Sequence, residues 1–208
     1  MNSLVSKEVV LGLISITYFR TRRFSYFFLS FTCLPFCVVK AKSYQSYDLV
    51  VWSQTSWRWL ETKLIELGML ANPRYRFCFV LDKTSMFAIT STSKSGRKVK
   101  HYVKPLQIIW NKFPGTWGPH NTVHLDDLSR NFALNPGNGL KVSAFYRKKQ
   151  KKPDVELIGL ARYLTKLALE VKDFTTIDMK YWQEVLAGTK NLQSVEKKCD
   201  SEGNENQS

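Results

Sequence analysis

From Tyr47 onward, short apolar runs alternate with amphipathic stretches, and that alternation leaves few folds open. Tyr47–Trp52 is an apolar run of strand length. The hydroxyls of Ser53, Thr55 and Ser56 follow it and suit the start of a helix. Across residues 57–67, Trp57, Leu60, Leu64 and Leu67 recur every three or four positions with charges between them, so a helix is expected. Gly68 stands where its C-cap belongs. Phe77–Leu81 is a second strand candidate, 90–96 a polar loop, and 106–110 a strand or a short helix. Residues 122–125 form a buried-type strand ending in Asp126-Asp127, and Asn135-Pro136-Gly137 marks a turn. Residues 155–171 place Leu157, Leu160, Ala161, Leu164, Leu167 and Ala168 on one helical face, and 178–186 read as a last short helix. Strands alternating with helices imply an α/β domain with a mainly parallel sheet.

Charge adds a functional hint. The chain carries 31 Lys and Arg against 17 Asp and Glu, a net +14, which favours a polyanionic partner or substrate. Four Cys in 208 residues are too few for a disulfide scaffold. Cys33 and Cys37 lack the second pair that a zinc site needs. His101, His120 and His124 do not form a metal spacing, and His124 reads as a strand residue.

Residues 1–46 are atypical, with two apolar runs, 9–19 and 24–39, parted by Arg20, Arg22 and Arg23. Neither run reaches the roughly 20 apolar residues of a membrane-spanning helix. The first imitates a signal peptide but has no small-residue cleavage site. The alternatives are a buried strand with a poorly specified apolar segment, or membrane association through 9–39. Residues 188–208 are polar and are expected to form a disordered tail.

In parallel α/β folds chemistry gathers beyond the carboxyl ends of the strands. One such end offers the Ser53 hydroxyl at a helix start, a phosphate-oxygen donor. Another offers the adjacent carboxylates Asp126 and Asp127, which suit a hard cation such as Mg²⁺. Lys104 lies between them in sequence and can neutralise a transferring phosphoryl group. Lys98 and Lys100, with Lys94 and Arg97, form a basic stretch able to receive an acidic, phosphorylated peptide. Arg147 to Lys152 form a basic run of nuclear-import type.

These residues resemble a known family. YDLVVWSQTSWRWLETKLIELGML, HYVKPLQIIWNKF and NTVHLDDLSRNFALNPGNGLKV are similar, in order, to the later motifs of the FCP-homology phosphatases. ELIGLARYLTKLA and YWQEVL resemble their C-terminal helices. The resemblance covers residues 47–187 and implies a haloacid-dehalogenase-like, three-layer Rossmannoid fold whose N-terminal part is incomplete or replaced. It implies Ser53 as the phosphate-binding hydroxyl, Lys104 as stabiliser of the phosphoryl group, Asp127 as Mg²⁺ ligand and Asp126 as its support. Thr55, Lys98 and Lys100 complete the candidate substrate-binding set. The implied substrates are phosphoserine and phosphothreonine in proteins, including the RNA polymerase II tail and proteasome subunits, and the implied location is the nucleus.

The departure matters as much as the match. The family's nucleophile and general acid/base are the two Asp of a D-x-D-x-T motif at the end of the first, central strand. Here no acid stands between Glu8 and Asp48, and no D-x-D occurs anywhere. If residues 9–17 take that strand's place, Leu13 replaces the nucleophile, Ser15 the acid/base, and Thr17 matches the motif's Thr. Leu cannot attack phosphorus, and a Ser hydroxyl is a poor proton shuttle. Three readings stay open: a Mg²⁺-dependent protein phosphatase acting through an aspartyl-phosphate, a non-catalytic phosphoprotein- or partner-binding protein on the same scaffold, and a basic nucleic-acid-binding module.

Overall fold

A computed structural model describes residues 10–14, 46–93, 95–144 and 156–195. Five parallel strands form one sheet in the order β3-β2-β1-β6-β7. They are β1 (Val10–Ile14), β2 (Tyr47–Trp52), β3 (Phe77–Leu81), β6 (Thr122–Asp126) and β7 (Gly139–Lys141). β4 (Phe87–Thr92) and β5 (Lys98–Val103) form a separate antiparallel ribbon. The helices are α1 (Trp57–Glu66), α2 (Gln107–Lys112), α3 (Glu156–Glu170) and α4 (Trp182–Leu186). The α/β expectation with a mainly parallel sheet therefore holds, and residues 10–14 occupy the sheet's centre.

Successive side chains of a strand point to opposite faces, which sorts the core. Leu49 and Val51 of β2 face one way. Leu49 joins Val123, Leu125 and Leu140 against Leu160, Leu164 and Leu167 of α3 and Trp182 of α4. Val51 meets Leu60 and Leu64 of α1. Val50 and Trp52 face the other way, against Leu106, Ile109, Trp110 and Trp117. Helices cover both faces of a parallel sheet, as the long apolar run of β2 requires.

Local details confirm or revise the sequence reading. Gly68 follows α1 at φ +59°, where Gly is favoured, and its N–H and that of Met69 donate to Ile65 O and Leu64 O at 2.8 Å each. The start of α1 differs from expectation. Ser56 makes no side-chain cap, and the Trp57 N–H instead donates to Asp82 Oδ2 at 2.9 Å. Residues 106–110, left between strand and helix, enter α2. Thr90 to Thr92, expected as loop, lie in β4 because they pair with Lys98 to Lys100 across the ribbon. Leu192 and Val195, within the stretch expected as tail, are buried in the core, because two apolar side chains repay the ordering of their segment. The apolar run 24–39, both of its cysteines, Ser15, Thr17, Lys94, the basic run 147–152 and residues 196–208 lie outside the described residues. Among the described residues, no helix is long and apolar enough to cross a membrane.

Gly139 opens β7 where its neighbour leaves no room: a Cβ there would lie 2.8 Å from Phe132 Cβ and closer still to the ring. Gly139→Ala is therefore expected to destabilise the chain by about 1–3 kcal/mol in urea denaturation. An unchanged midpoint would show that Phe132 can step aside at no cost.

Candidate functional site

The register of the parallel strands builds the site. Leu13 lies between Val50 of β2 and His124 of β6, and Ile14 between Val51 and Leu125. The carboxyl ends of β2 and β6 thus flank the end of β1. Ser53 leaves β2 there, its N–H donating to Leu81 O at 2.9 Å, and Asp126 closes β6.

Lys104 arrives from the ribbon. The chain leaves β5 at Val103, and the Lys104 N–H donates to Asn131 O at 3.3 Å. Lys104 Nζ donates to Asp126 Oδ2 at 2.7 Å, with both side chains 0% exposed. The same oxygen accepts from Asn131 Nδ2 at 2.8 Å, and Asp126 Oδ1 accepts the Leu128 N–H at 2.9 Å. Asn131 Oδ1 in turn accepts from Gln54 Nε2 at 3.1 Å. Next to Gln54, the Ser53 and Thr55 hydroxyls share a 2.7 Å hydrogen bond, and Ser53 Oγ accepts the Thr55 N–H at 3.1 Å. One chain of hydrogen bonds and peptide links thus runs from the hydroxyls after β2 to the ion pair at the end of β6. Burial pulls the Lys104 ammonium below its ordinary pKa, while the charge and hydrogen bond of Asp126, then the charge of Asp127, oppose that fall.

His124 lies on the same face of β6, two residues before Asp126. Its ring stacks on Trp52 at 6.5 Å between centroids and meets Phe132 edge-on at 4.9 Å. Nε2 is 3.8 Å from Asp126 Oδ2, beyond hydrogen-bond reach, and neither ring nitrogen has a hydrogen-bond partner among the described residues. Burial, followed by the charge of Lys104, lowers its pKa to about 3, so the imidazole is neutral at physiological pH.

Of the residues singled out from sequence, Ser53, Thr55, Lys104 and Asp126 share this cluster, and Asp127 sits half-exposed beside Asp126. Ser53, Lys104 and Asp126 are no more than 1% exposed, so the cluster is closed. Lys98 and Lys100 stand apart, exposed on β5. Gln54 and Asn131 escaped the sequence reading. The only signal for Asn131 was an amide five residues after the acidic strand end.

The resemblance implies Mg²⁺, and the donor set decides whether it fits. Asp126 is wholly covered and accepts hydrogen bonds from Lys104, Leu128 and Asn131. At the end of β6 only Asp127 reaches the surface, Asp82 after β3 is taken up by the Trp57 and Thr84 N–H groups, and no residue from 9 to 47 is acidic. Among the described residues, no group of three or more His, Cys, Asp or Glu is placed to hold a metal ion. A single half-exposed carboxylate does not make a resident Mg²⁺ site, so the residues present do not fit the ion.

Comparison with known proteins points the same way as the motifs. The family described as NLI interacting factor-like phosphatase matches residues 16–175. Ubiquitin-like domain-containing CTD phosphatase 1 of Rattus norvegicus is 38% identical over 146 residues, which covers 70% of this chain and 44% of that protein. The Homo sapiens protein of that name gives the same identity and coverage. The Danio rerio one is 35% identical over 150 residues, covering 72% of this chain and 46% of its own. The chain spans less than half the length of these curated relatives.

Two outcomes follow from the buried cluster. Asp126→Ala strands the Lys104 ammonium and is expected to cost about 3–5 kcal/mol in urea denaturation. Asp127→Ala removes a half-exposed carboxylate and is expected to cost less than Asp126→Ala in the same measurement, and equal effects would contradict the division between buried and peripheral acid. The second outcome concerns His124, whose folded pKa near 3 lies below the unfolded value of 6.5. Between these values the unfolded state binds the extra proton. The stability is therefore complete above pH 6.5 and is lost progressively as pH falls through that window toward 3. His124→Phe should flatten the pH dependence of the denaturation midpoint there; profiles parallel to the parent's would mean that His124 is not held neutral.

Proposed function

The chain belongs to the NLI interacting factor-like phosphatase family, and from that membership we propose that it binds a phosphorylated or otherwise acidic protein segment without hydrolysing a phosphoester. The observation that carries this reading is the register of β1, which sets Leu13 between Val50 and His124 at the carboxyl end of the central strand. That is where the family's motif calls for a nucleophilic carboxylate.

The chemistry follows from the residues that remain. Phosphoryl transfer through an acyl phosphate begins with a carboxylate oxygen attacking phosphorus. Leu13 has no lone pair to offer, so the P–O ester bond is left intact. Ser15 stands for the acid/base, and its hydroxyl neither protonates an alkoxide nor activates water at neutral pH. In this reading the fold is the haloacid-dehalogenase-like one of the family. Ser53, Thr55, Lys104 and Asp126 keep the places of a phosphate site, and here they tie the strand ends together. Asp127 is left as a peripheral acid, and Mg²⁺ has no catalytic part. The partner is a phosphoprotein, in keeping with relatives named as CTD phosphatases, and the RNA polymerase II tail is the example that the motif resemblance implies. The basic run 147–152 supports a nuclear location.

Hydrolysis of p-nitrophenyl phosphate in the presence of Mg²⁺ tests the reading. The parent chain is expected to show no turnover above buffer. Leu13→Asp combined with Ser15→Asp is expected to gain measurable turnover, because the two lost carboxylates return to an intact frame. Mg²⁺-dependent turnover by the parent, abolished in Asp127→Asn, would defeat it.

A further inference from the structure

We propose that the β4–β5 ribbon docks an extended, acidic protein segment along its Tyr102–Lys100–Lys98 face. The inference deepens the binding reading above by naming the surface and the sequence pattern it takes. Directly opposed residues of an antiparallel pair share a face. The register pairs Ala88 with Tyr102, Thr90 with Lys100 and Thr92 with Lys98, so these six residues line one side. All six are exposed, and Tyr102 is 56% exposed. The three on β4 are short and the three on β5 are long, which leaves a step along the ribbon in which a peptide backbone can lie.

Charge selects the occupant. No residue from 83 to 125 is acidic, so the ribbon has no acid of its own. Neither Lys98 nor Lys100 has an ion-pair partner among the described residues. Both ammonium groups are therefore available to a partner. Two residues apart on a strand, they are spaced by about 6.6 Å. An extended peptide with acidic side chains at alternate positions has the same spacing. Its next alternate residue falls over the Tyr102 ring, which suits an apolar or aromatic side chain. Phe87, 52% exposed, and Val99, 47% exposed, share the ribbon's opposite face, which leaves Tyr102 as the exposed large apolar group beside the two lysines. The ribbon also leads straight into Lys104 and so brings a docked segment beside the strand-end cluster.

The test is fluorescence anisotropy of the full chain with a labelled peptide carrying glutamates at alternate positions followed, two residues on, by Phe. Lys98→Ala with Lys100→Ala is expected to weaken binding by about tenfold, the sum of two exposed ion pairs. A peptide of the same composition with adjacent glutamates should bind several-fold more weakly than the alternating one. These surface changes leave the core alone, and circular dichroism verifies the fold. Equal affinity for both peptides, binding unchanged in the double variant, or a single-stranded oligonucleotide outcompeting the peptide would each overturn the proposal. Those failures are separate from that of the non-catalytic reading, which falls only on phosphoester hydrolysis.

Discussion

A buried ion pair sets the geometry of this molecule's carboxyl edge. Lys104 and Asp126 meet at 2.7 Å out of reach of water. A pair of this kind adds little net stability compared with an apolar pair of the same shape, yet breaking one side of it is costly. Its effect is therefore one of arrangement. Lys104, Asn131 and the Leu128 N–H all donate to Asp126 and so hold its carboxylate ionised there. These bonds fix where the chain returns from the ribbon, where the turn after β6 goes, and, through Gln54, how the segment after β2 sits.

This arrangement supports the proposal that the framework persists here without the family's chemistry. Lys104, Leu128 and Asn131, which donate to Asp126, all lie outside β1. In the proposed reading the central strand carries Leu13 where the family motif has a carboxylate, and β1 pairs in register on both sides. What disappears, in that reading, is the attacking atom. His124 beside the pair, neutral and without a hydrogen-bond partner among the described residues, fits the same proposal of a covered strand end that takes no part in proton transfer.

Much of the fold was legible because burial writes itself into periodicity. β2, β3, β6, α1 and α3 showed as apolar runs or three-and-four spacings and stand where they were read. The ribbon did not show. Its Thr and Ser residues look like loop, and its strands are specified by pairing with each other instead of by a buried face. The cap of α1 was misread because its acceptor, Asp82, comes from 25 positions away in sequence. In the site, Ser53, Lys104 and Asp126 were recognisable as charged or hydroxyl groups at strand ends. Gln54 and Asn131 were not, since an amide that bridges two other side chains carries no mark in its own neighbourhood.

The central claim is that this strand end forms no phosphoenzyme. Intact-mass spectrometry of the chain, quenched in acid while exposed to a small phosphomonoester and Mg²⁺, measures that directly. The account predicts only the unmodified mass. A mass increased by one phosphoryl group, mapping to residues 9–17 or to the Asp126-Asp127 pair, would contradict it.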